Sequence, residues 1–200
     1  DGIVLEGNTD NYVSQNPYYL LPNIESGEIN SELSSQSRYV LVPLAQGIKK
    51  ADNIRDTLNI SSILTTSDSA YSKTNLKDMD TMEKEDGDID GPFDLAVSIT
   101  EKVGDDKETQ IAYFASASIF NDSINSMVSG TNYELLSASL AWMCSTDDSN
   151  QISIPSKSYD TTTLTVPTAD INFWSIFVTG VLPVCTLLIG FGIWMKRRKQ

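Results

Sequence analysis

Histidine is absent from the 200 residues of this sequence, and cysteine occurs only as Cys144 and Cys185. Without histidine the chain cannot supply a Ser-His-Asp triad, a Cys-His pair or an H-E-x-x-H zinc site. Cys185 lies inside an apolar run, so we do not expect the two cysteines to form a disulfide. The phosphate-binding pattern G-x-x-x-x-G-K-[ST] is also missing, which excludes an ATPase of that class. We expect no cofactor and no catalytic role for this chain.

Basic residues are scarce, with 14 Lys and Arg against 27 Asp and Glu, giving a net charge of −13. Nucleic acid is therefore not expected as a partner, because phosphate binding needs clustered positive charge. The chain begins with Asp1 and shows no signal peptide, so we expect it to be one piece of a longer precursor.

Charged residues are missing altogether from Phe173 to Met195. This run is about 34 Å long as a helix, which is enough to cross the hydrocarbon core of a bilayer. We predict a transmembrane helix over 172–195, with Trp174 and Trp194 as aromatic anchors at the two interfaces. The basic tail over 196–200 follows at once and contains Lys196, Arg197, Arg198 and Lys199. By the positive-inside rule the tail is cytoplasmic and the preceding residues lie outside the cell membrane.

Three residues inside this run bear on helix geometry and contact. Pro183 removes one backbone hydrogen bond and is expected to kink the helix. Thr186 and Gly190 form a small-xxx-small pair, which predicts a face where a second helix can approach closely. Ordinary small residues in a lone span are the alternative interpretation.

Residues 1–155 are predicted to form an extracytoplasmic α/β domain with a mixed sheet, followed by a polar linker over 156–171. The predicted strands are 38–45, 60–67, 93–102, 109–116 and 151–155. The strand over 109–116 is nearly continuously apolar, so we expect it to be central and to form a hairpin with 93–102. Helices are predicted over 122–130, capped by Asp122 and ended by Gly130, and over 131–144. In the second helix, Thr131 and Glu134 match a capping box, and Leu135, Leu136, Leu140 and Met143 share a face.

The segment 68–92 is polar and charged, and we expect it to be a long exposed loop. Its aspartates Asp86, Asp88 and Asp90, followed by Gly91, match the opening of a helix–loop–helix calcium site. The twelfth position, however, is Val97 where the template requires glutamate, and a strand follows where a helix is needed. The calcium hypothesis therefore competes with a plain acidic turn that leads into the next strand.

A ligand crevice, if the domain has one, should lie at the carboxyl ends of the strands. In this sequence that places Ser116, Ser118 and Asn121 as candidate ligand-binding residues. The alternative is that these residues only form the turn between a strand and a helix.

The order of segments "GPFDLAV", "QIAYFAS", "NYELLSASLAWM", "ISIPSK" and a Pro-containing span ending in "IWMKRRK" resembles the C-terminal half of the GldG family. These are gliding-motility-associated auxiliary proteins of ABC transporters, and the likeness covers about residues 90–199. The resemblance implies an amidotransferase-like extracytoplasmic domain, a further N-terminal part with its own membrane segment, and partnership with an ABC permease and its ATPase. The chain departs from the family in having "SASIF" where members tend to carry an acidic residue.

Three functions follow as hypotheses. The first is a non-enzymatic, membrane-anchored auxiliary subunit of an ABC-type transport system, with its span in contact with the permease and the lipid bilayer. The second is a cell-surface binding module for a glycan, a peptide or an envelope polymer, without a transporter. The third is a hydrolase with paired carboxylates, which is disfavoured because the acidic residues concentrate in the predicted loop.

Overall fold

The computed structural model of this chain describes residues 2–34, 38–76, 81–104, 108–144 and 165–198. Its largest sheet has the strand order β3-β5-β8-β9, formed by Asn23–Ile24, Leu58–Thr65, Asp94–Lys102 and Glu108–Phe114. A second sheet joins β1 (Ile3–Leu5), β6 (Tyr71–Lys73) and β7 (Ile89–Asp90), and a third pairs β2 (Tyr19–Leu20) with β4 (Val42–Pro43). All strand pairs in these described ranges are antiparallel.

The helices form two groups, those of the folded domain and those of the predicted span. They are α1 (Ser31–Ser34), α2 (Asp122–Met127), α3 (Thr131–Cys144), α4 (Thr168–Ile176) and α5 (Leu182–Arg198). A π-helical turn, Phe177–Val181, joins α4 to α5, and two short 3-10 turns occupy Thr9–Asn11 and Ala117–Phe120. The combination of sheets and packed helices agrees with the predicted α/β class, but the prediction of a mixed sheet is wrong, because every described strand pair is antiparallel.

The main core lies between the four-stranded sheet, the chain around residue 40 and helix α3. It is built mostly of aliphatic side chains that are less than a tenth exposed, including Val4, Leu20, Val40, Val42, Ile63, Leu64, Leu95, Ala96, Ile119 and Leu135. Such burial contributes about 25 cal/mol for each Å² of apolar surface removed from water. This core fixes the positions of β5 and β8, from which the surfaces discussed below extend.

Two strand predictions are confirmed, and two need correction. The strands over 60–67 and 93–102 correspond to β5 and β8, and β8 pairs with β9 as the predicted hairpin. The segment 38–45 is buried at residues 40–43 and 45 but forms only the two-residue strand β4, because Pro43 has no N–H to donate and Leu44 adopts a φ of 49°. The segment 109–116 is not central: β9 is the last strand of its sheet, and its exposure alternates along the strand.

The segment 68–92 is not wholly an exposed loop. All three residues of β6 are buried, and this strand is the centre of the β1-β6-β7 sheet. Its short length and polar composition gave no strand pattern in the sequence. The residues between Lys73 and Ile89 that the structure describes do lie mostly at the surface.

The helix α3 is confirmed, but its predicted cap and apolar face are wrong. Thr131 is already inside the helix, where its hydroxyl donates to the Val128 carbonyl at 2.8 Å, and Glu134 pairs with Arg38 instead of closing a capping box. The buried face carries Thr131, Asn132, Leu135 and Ser139, whereas Leu140 is half exposed. Polar residues occupy this face because Asn132 has buried hydrogen-bond partners across the core.

Asn132 is fully buried and joins three parts of the chain. Its side-chain oxygen accepts from the Leu41 N–H at 3.0 Å, and its amide group donates to the carbonyls of Leu41 and Ile119 at 2.8 and 2.7 Å. These bonds satisfy the backbone of residue 41 as a neighbouring strand would do.

The helix α2 begins one residue earlier than predicted, because its cap lies one residue earlier in the chain. Asn121, not Asp122, is the N-cap, and Gly130 ends the segment with a φ of 92° that favours glycine. The predicted strand 151–155 and most of the predicted linker, 156–164, lie outside the described residues.

Candidate functional site

Residues between 83 and 88 surround the ammonium group of a buried lysine. Lys73, the last residue of β6, has a side chain with no exposed surface. Its ammonium group donates to the Glu83 carbonyl at 2.8 Å and to the Glu85 carboxylate at 2.9 Å, and it lies 3.9 Å from Asp88. We call these four residues the Lys73 cluster. Its two carboxylates balance a buried charge that would otherwise be costly to remove from water.

Asp88 organises the turn of this cluster. Its side chain is 3% exposed and accepts backbone N–H groups from Glu85 at 2.9 Å and Thr74 at 3.1 Å. The Glu85 N–H holds the pKa of Asp88 below its ordinary value, because hydrogen bonds to a carboxylate stabilise its charged form. The Asp88 side chain therefore connects Thr74, directly after β6, with Glu85, further along the chain.

The three calcium candidates do not converge on one point. Asp88 faces Lys73, Asp90 of β7 pairs with Lys84, and Asp86 is exposed. Within the described ranges, no three His, Cys, Asp or Glu side chains form a group that could hold a metal. The geometry favours the alternative interpretation, an acidic turn that leads into β8, in which the Asp88 carboxylate faces the Lys73 ammonium.

The candidate ligand residues Ser116, Ser118 and Asn121 lie together after β9, as predicted. Ser116 is buried, and its hydroxyl donates to the Pro43 carbonyl at 2.5 Å while accepting from the Ser118 N–H at 3.3 Å. The Asn121 side chain accepts from the Ser123 N–H at 2.9 Å as the cap of α2. Their polar groups are used within the strand-to-helix turn, which fits the structural interpretation of these residues.

A surface groove that the sequence did not predict lies at the β3 end of the large sheet. It encloses about 500 Å³. Its lining carries both charge signs, with Glu25, Asp68 and Asp94 on the acidic side and Lys49 and Lys50 on the basic side. The other lining residues are Asn23, Ile48, Thr65, Thr66, Pro92 and Phe93. We call it the β3 groove. Its volume is in the range of small-ligand sites.

Several of the lining groups of the β3 groove are held in place by hydrogen bonds. The Thr65 hydroxyl donates to Glu25 at 2.6 Å, and the Phe93 N–H donates to the Thr66 hydroxyl at 2.8 Å. Carboxylates, amines and the half-buried ring of Phe93 can together receive a small polar ligand that carries amino, hydroxyl or carboxyl groups. No local motif could have revealed the groove, because its residues come from four separate parts of the chain.

The predicted span is a continuous helical segment, Thr168–Arg198, of 31 residues. It begins four residues before the predicted position of 172, and its most apolar part is entirely uncovered by the rest of the protein. Trp174 and Trp194 are 59% and 54% exposed, as interfacial anchors require. The guanidinium of Arg198 lies 5.4 Å from the Trp194 ring centre, which places a cation over an aromatic face.

The last turn of α5 carries the basic residues Lys196, Arg197 and Arg198. Lys199, the fourth basic residue of the predicted tail, lies outside the described residues. Cations at a helix C-terminus interact favourably with the unpaired carbonyls there. The same charges oppose entry of this end into the hydrocarbon core.

The helix passes through Pro183 because the turn before it is widened. In the π-helical turn Phe177–Val181, the N–H of Leu182 donates to the Phe177 carbonyl, five residues earlier. A proline inside a helix clashes with the preceding turn and lacks an N–H, so a wider turn at this place relieves both problems. The kink predicted at Pro183 stays a prediction; what the structure shows before this residue is the π-helical turn.

Thr186 and Gly190 share one open face of α5. The Thr186 hydroxyl donates back to the Pro183 carbonyl at 2.7 Å, and a Cβ added at Gly190 would meet no atom within 4 Å. A shallow depression of about 650 Å³ contains both residues, together with Val184, Leu187, Leu188, Phe191 and Trp194. This face offers the close backbone approach that small residues provide in membrane helices.

The start of the span is attached directly to the folded domain. Thr168 is 2% exposed, and its backbone N–H and hydroxyl both donate to the Tyr12 carbonyl, at 3.2 and 3.0 Å. Its hydroxyl also accepts from the Gln15 N–H at 3.4 Å. The predicted linker to the membrane therefore ends on the domain surface, and the helix departs from a hydrogen-bonded attachment.

Comparisons of this chain with protein-family models, curated proteins and solved structures give no match. The class that the fold itself defines is an α/β domain joined to a single candidate membrane-spanning helix.

Proposed function

We propose that this chain is a membrane-anchored, non-catalytic auxiliary subunit of an ABC-type transport system. The observation that carries the proposal is the uncovered apolar helix Thr168–Arg198, which starts from a hydrogen-bonded attachment on the folded domain. A helix attached in this way can couple a change in the outer domain to a partner inside the membrane. The transporter as partner follows from the segment order that resembles the GldG family.

The proposed contact with the permease is the Thr186–Gly190 face. In lipid, helices associate through packing and small-residue contacts, because the surrounding acyl chains are as apolar as the helices. The outer surface of the domain is acidic and mostly polar, so the span is the better candidate for a stable contact. The energy for transport would come from a separate ATPase.

The test is recovery of a permease with the tagged full chain after extraction in a mild detergent. We expect Gly190→Leu to insert normally, since leucine is favourable in the core, but to lose the permease. Gly192→Leu is the matched control, because Gly192 is equally open but lies about 200° around the helix from Gly190. Equal recovery with both variants would remove this face as the contact, and failure to recover any permease with the unmutated chain would contradict the transporter proposal.

The proposed orientation places the domain outside and the basic tail in the cytoplasm. A protease added to intact cells should remove the domain and leave a tag after Gln200 intact. Digestion of that tag in sealed cells would show the opposite orientation, with the basic tail outside.

The β3 groove favours a second candidate function, a cell-surface binding module. Its mixed charges suit a glycan or peptide that carries both amino and carboxyl groups. If the domain is such a module, an array of cell-wall glycans and peptides should yield a ligand whose binding falls at least tenfold in Phe93→Ala and is unchanged in Tyr39→Ala, a 40% exposed ring outside the groove. Absence of binding by the unmutated domain would leave the transporter subunit as the better account.

A further inference from the structure

In the part of the chain that the structure describes, the outer edge of β9 has no neighbouring strand. The sheet order ends at this strand, and the described residues include no backbone partner for Glu108–Phe114 on the side away from β8. On the inner side, Ala115 donates to Leu95 at 2.9 Å, in register with the pairing of Phe114 opposite Ala96. Since antiparallel pairs alternate, Thr109, Ile111 and Tyr113 bond to β8, and the residues between them direct their N–H and C=O groups outward.

The strand lacks the features that protect edges in other proteins. From Thr109 to Phe114 it has no charge, no proline and no bulge in its pairing with β8. At the opposite side of the same sheet, the Lys50 ammonium donates to the Ile60 carbonyl of β5 at 2.8 Å and so occupies an edge acceptor. On that side β3 pairs only with Leu64 and Thr65 of β5, and the lysine takes up one carbonyl of the uncovered part, whereas no hydrogen bond among the described residues does the same on β9.

An apolar row leads to this open edge. Ile60, Ile99 and Ile111 are direct neighbours across β5, β8 and β9. Ile111 is 48% exposed, and Tyr113, on the same face of β9, is 53% exposed. This row is incomplete at the edge in the isolated chain, and a further strand carrying an apolar residue opposite Ile111 would extend it.

A second copy of β9 supplies such a strand. If two copies pair antiparallel about Ile111, the middle residue of the seven, Ile111 faces Ile111 and Gln110 faces Ala112. The residues whose backbone groups point outward then lie opposite one another, 110 with 112 and 108 with 114, each pair occurring twice. These four pairs allow about eight backbone hydrogen bonds. The charged Glu108 lies opposite Phe114, so the two glutamates stand at opposite ends and do not repel each other directly.

We propose that the chain associates with a second copy of itself by antiparallel pairing of β9 about Ile111, which joins the two four-stranded sheets into one. Attachment to the same membrane favours this pairing, because it raises the effective concentration of one copy near another. The inference is independent of any permease, and its test uses the purified full chain alone.

Cysteine cross-linking in lipid vesicles tests the register. Opposed residues that do not exchange hydrogen bonds have Cα atoms about 4.5 Å apart, within disulfide range. In a Cys144→Ser, Cys185→Ser background, Ile111→Cys should form a disulfide-linked dimer under mild oxidation. Val103→Cys is the matched control: Val103 is similarly exposed, at 52%, but follows β8 and would lie far from the axis, so it should stay monomeric.

Charge substitution tests the same pairing without a cross-link. Ile111→Lys or Ile111→Glu alone should shift the chain at least tenfold toward monomer, because like charges would face each other at the axis. Mixing the two variants should restore the dimer as a mixed pair, whereas Val103→Lys, a charge at a similarly exposed residue away from the axis, should leave it unchanged. The proposal is overturned if the unmutated chain is monomeric in vesicles, if Val103→Cys cross-links as well as Ile111→Cys, or if the mixed pair does not form.

Discussion

Replacing Asp88 with asparagine should destabilise the folded domain, although the residue looks like one surface carboxylate among many in the sequence. The side chain is 3% exposed and lies 3.9 Å from an ammonium group with no exposed surface. Breaking a fully buried ion pair costs about 3–5 kcal/mol. Glu85 remains 2.9 Å from the same ammonium and is partly exposed, so it compensates in part. We therefore expect a loss of about 1.5–3 kcal/mol, the range for hydrogen bonds to charged groups.

The matched control is Asp90→Asn. Asp90 also pairs with a lysine, but both side chains are well exposed, at 72% for Asp90 and 46% for Lys84. Exposed pairs contribute about 0–1 kcal/mol, so this variant should be nearly neutral. Urea unfolding of the full chain in detergent, followed by tryptophan fluorescence, to which Trp142 contributes from the domain, measures both variants. Equal effects of the two substitutions would refute the argument from burial.

The pH dependence follows from the lowered pKa of Asp88. A carboxyl whose pKa is lower in the folded state than in the unfolded state stabilises the fold above the unfolded value, about 3.9. That stability is lost as the pH falls through the lower folded value. The difference between the unmutated chain and Asp88→Asn should therefore be full at pH 6 and shrink below about pH 4. Millimolar calcium should not raise the stability of either protein, whereas a calcium-dependent rise lost in Asp88→Asn would restore the metal hypothesis.

Two further predictions concern hydrogen bonds that cross the fold. Asn132→Ala should lower the free energy of unfolding by about 3 kcal/mol, because it leaves buried backbone groups of Leu41 and Ile119 without partners. Its control is Ser139→Ala: Ser139 is equally buried but bonded only to its own helix, so this change should cost under about 1 kcal/mol in the same urea assay. Thr168→Val should loosen the attachment of the span: hydrogen exchange should become about tenfold faster at the Gln15 N–H, which loses its acceptor, and stay unchanged in β8. Unchanged exchange at Gln15 would mean that the hydroxyl contributes nothing to the attachment.

The sequence predicted those parts of the fold that depend on a local pattern. The span was evident because 23 consecutive residues lack charge, and β8 was evident because apolar and polar residues alternate along it. The helix α3 was predicted from a capping box and an apolar face, and the helix is present although both of those details are wrong. In each case the pattern lies within a single segment, so no knowledge of distant partners was needed.

The parts that were missed depend on partners far apart in the chain. The strand β6 contains a fully buried lysine, which becomes favourable only when Glu85 and Asp88 return to meet it. The polar Asn132 belongs to the core only because Leu41 and Ile119 present backbone groups to it. The β3 groove assembles residues between 23 and 94 that share no local motif. Such arrangements are decided by tertiary contacts, which outweigh local propensity.

The error over β9 has a different origin. The segment was predicted to be central because it is apolar, rich in β-forming residues and free of charge between Thr109 and Phe114. Those features describe a strand with a neighbour on each side, and the structure gives it one neighbour, β8. Natural edge strands carry lysines, prolines or bulges because an unprotected edge pairs with other chains. The composition of β9 therefore suits a strand with a second neighbour, which the described residues do not supply. The mixed pair of Ile111→Lys with Ile111→Glu decides whether that neighbour is a second β9.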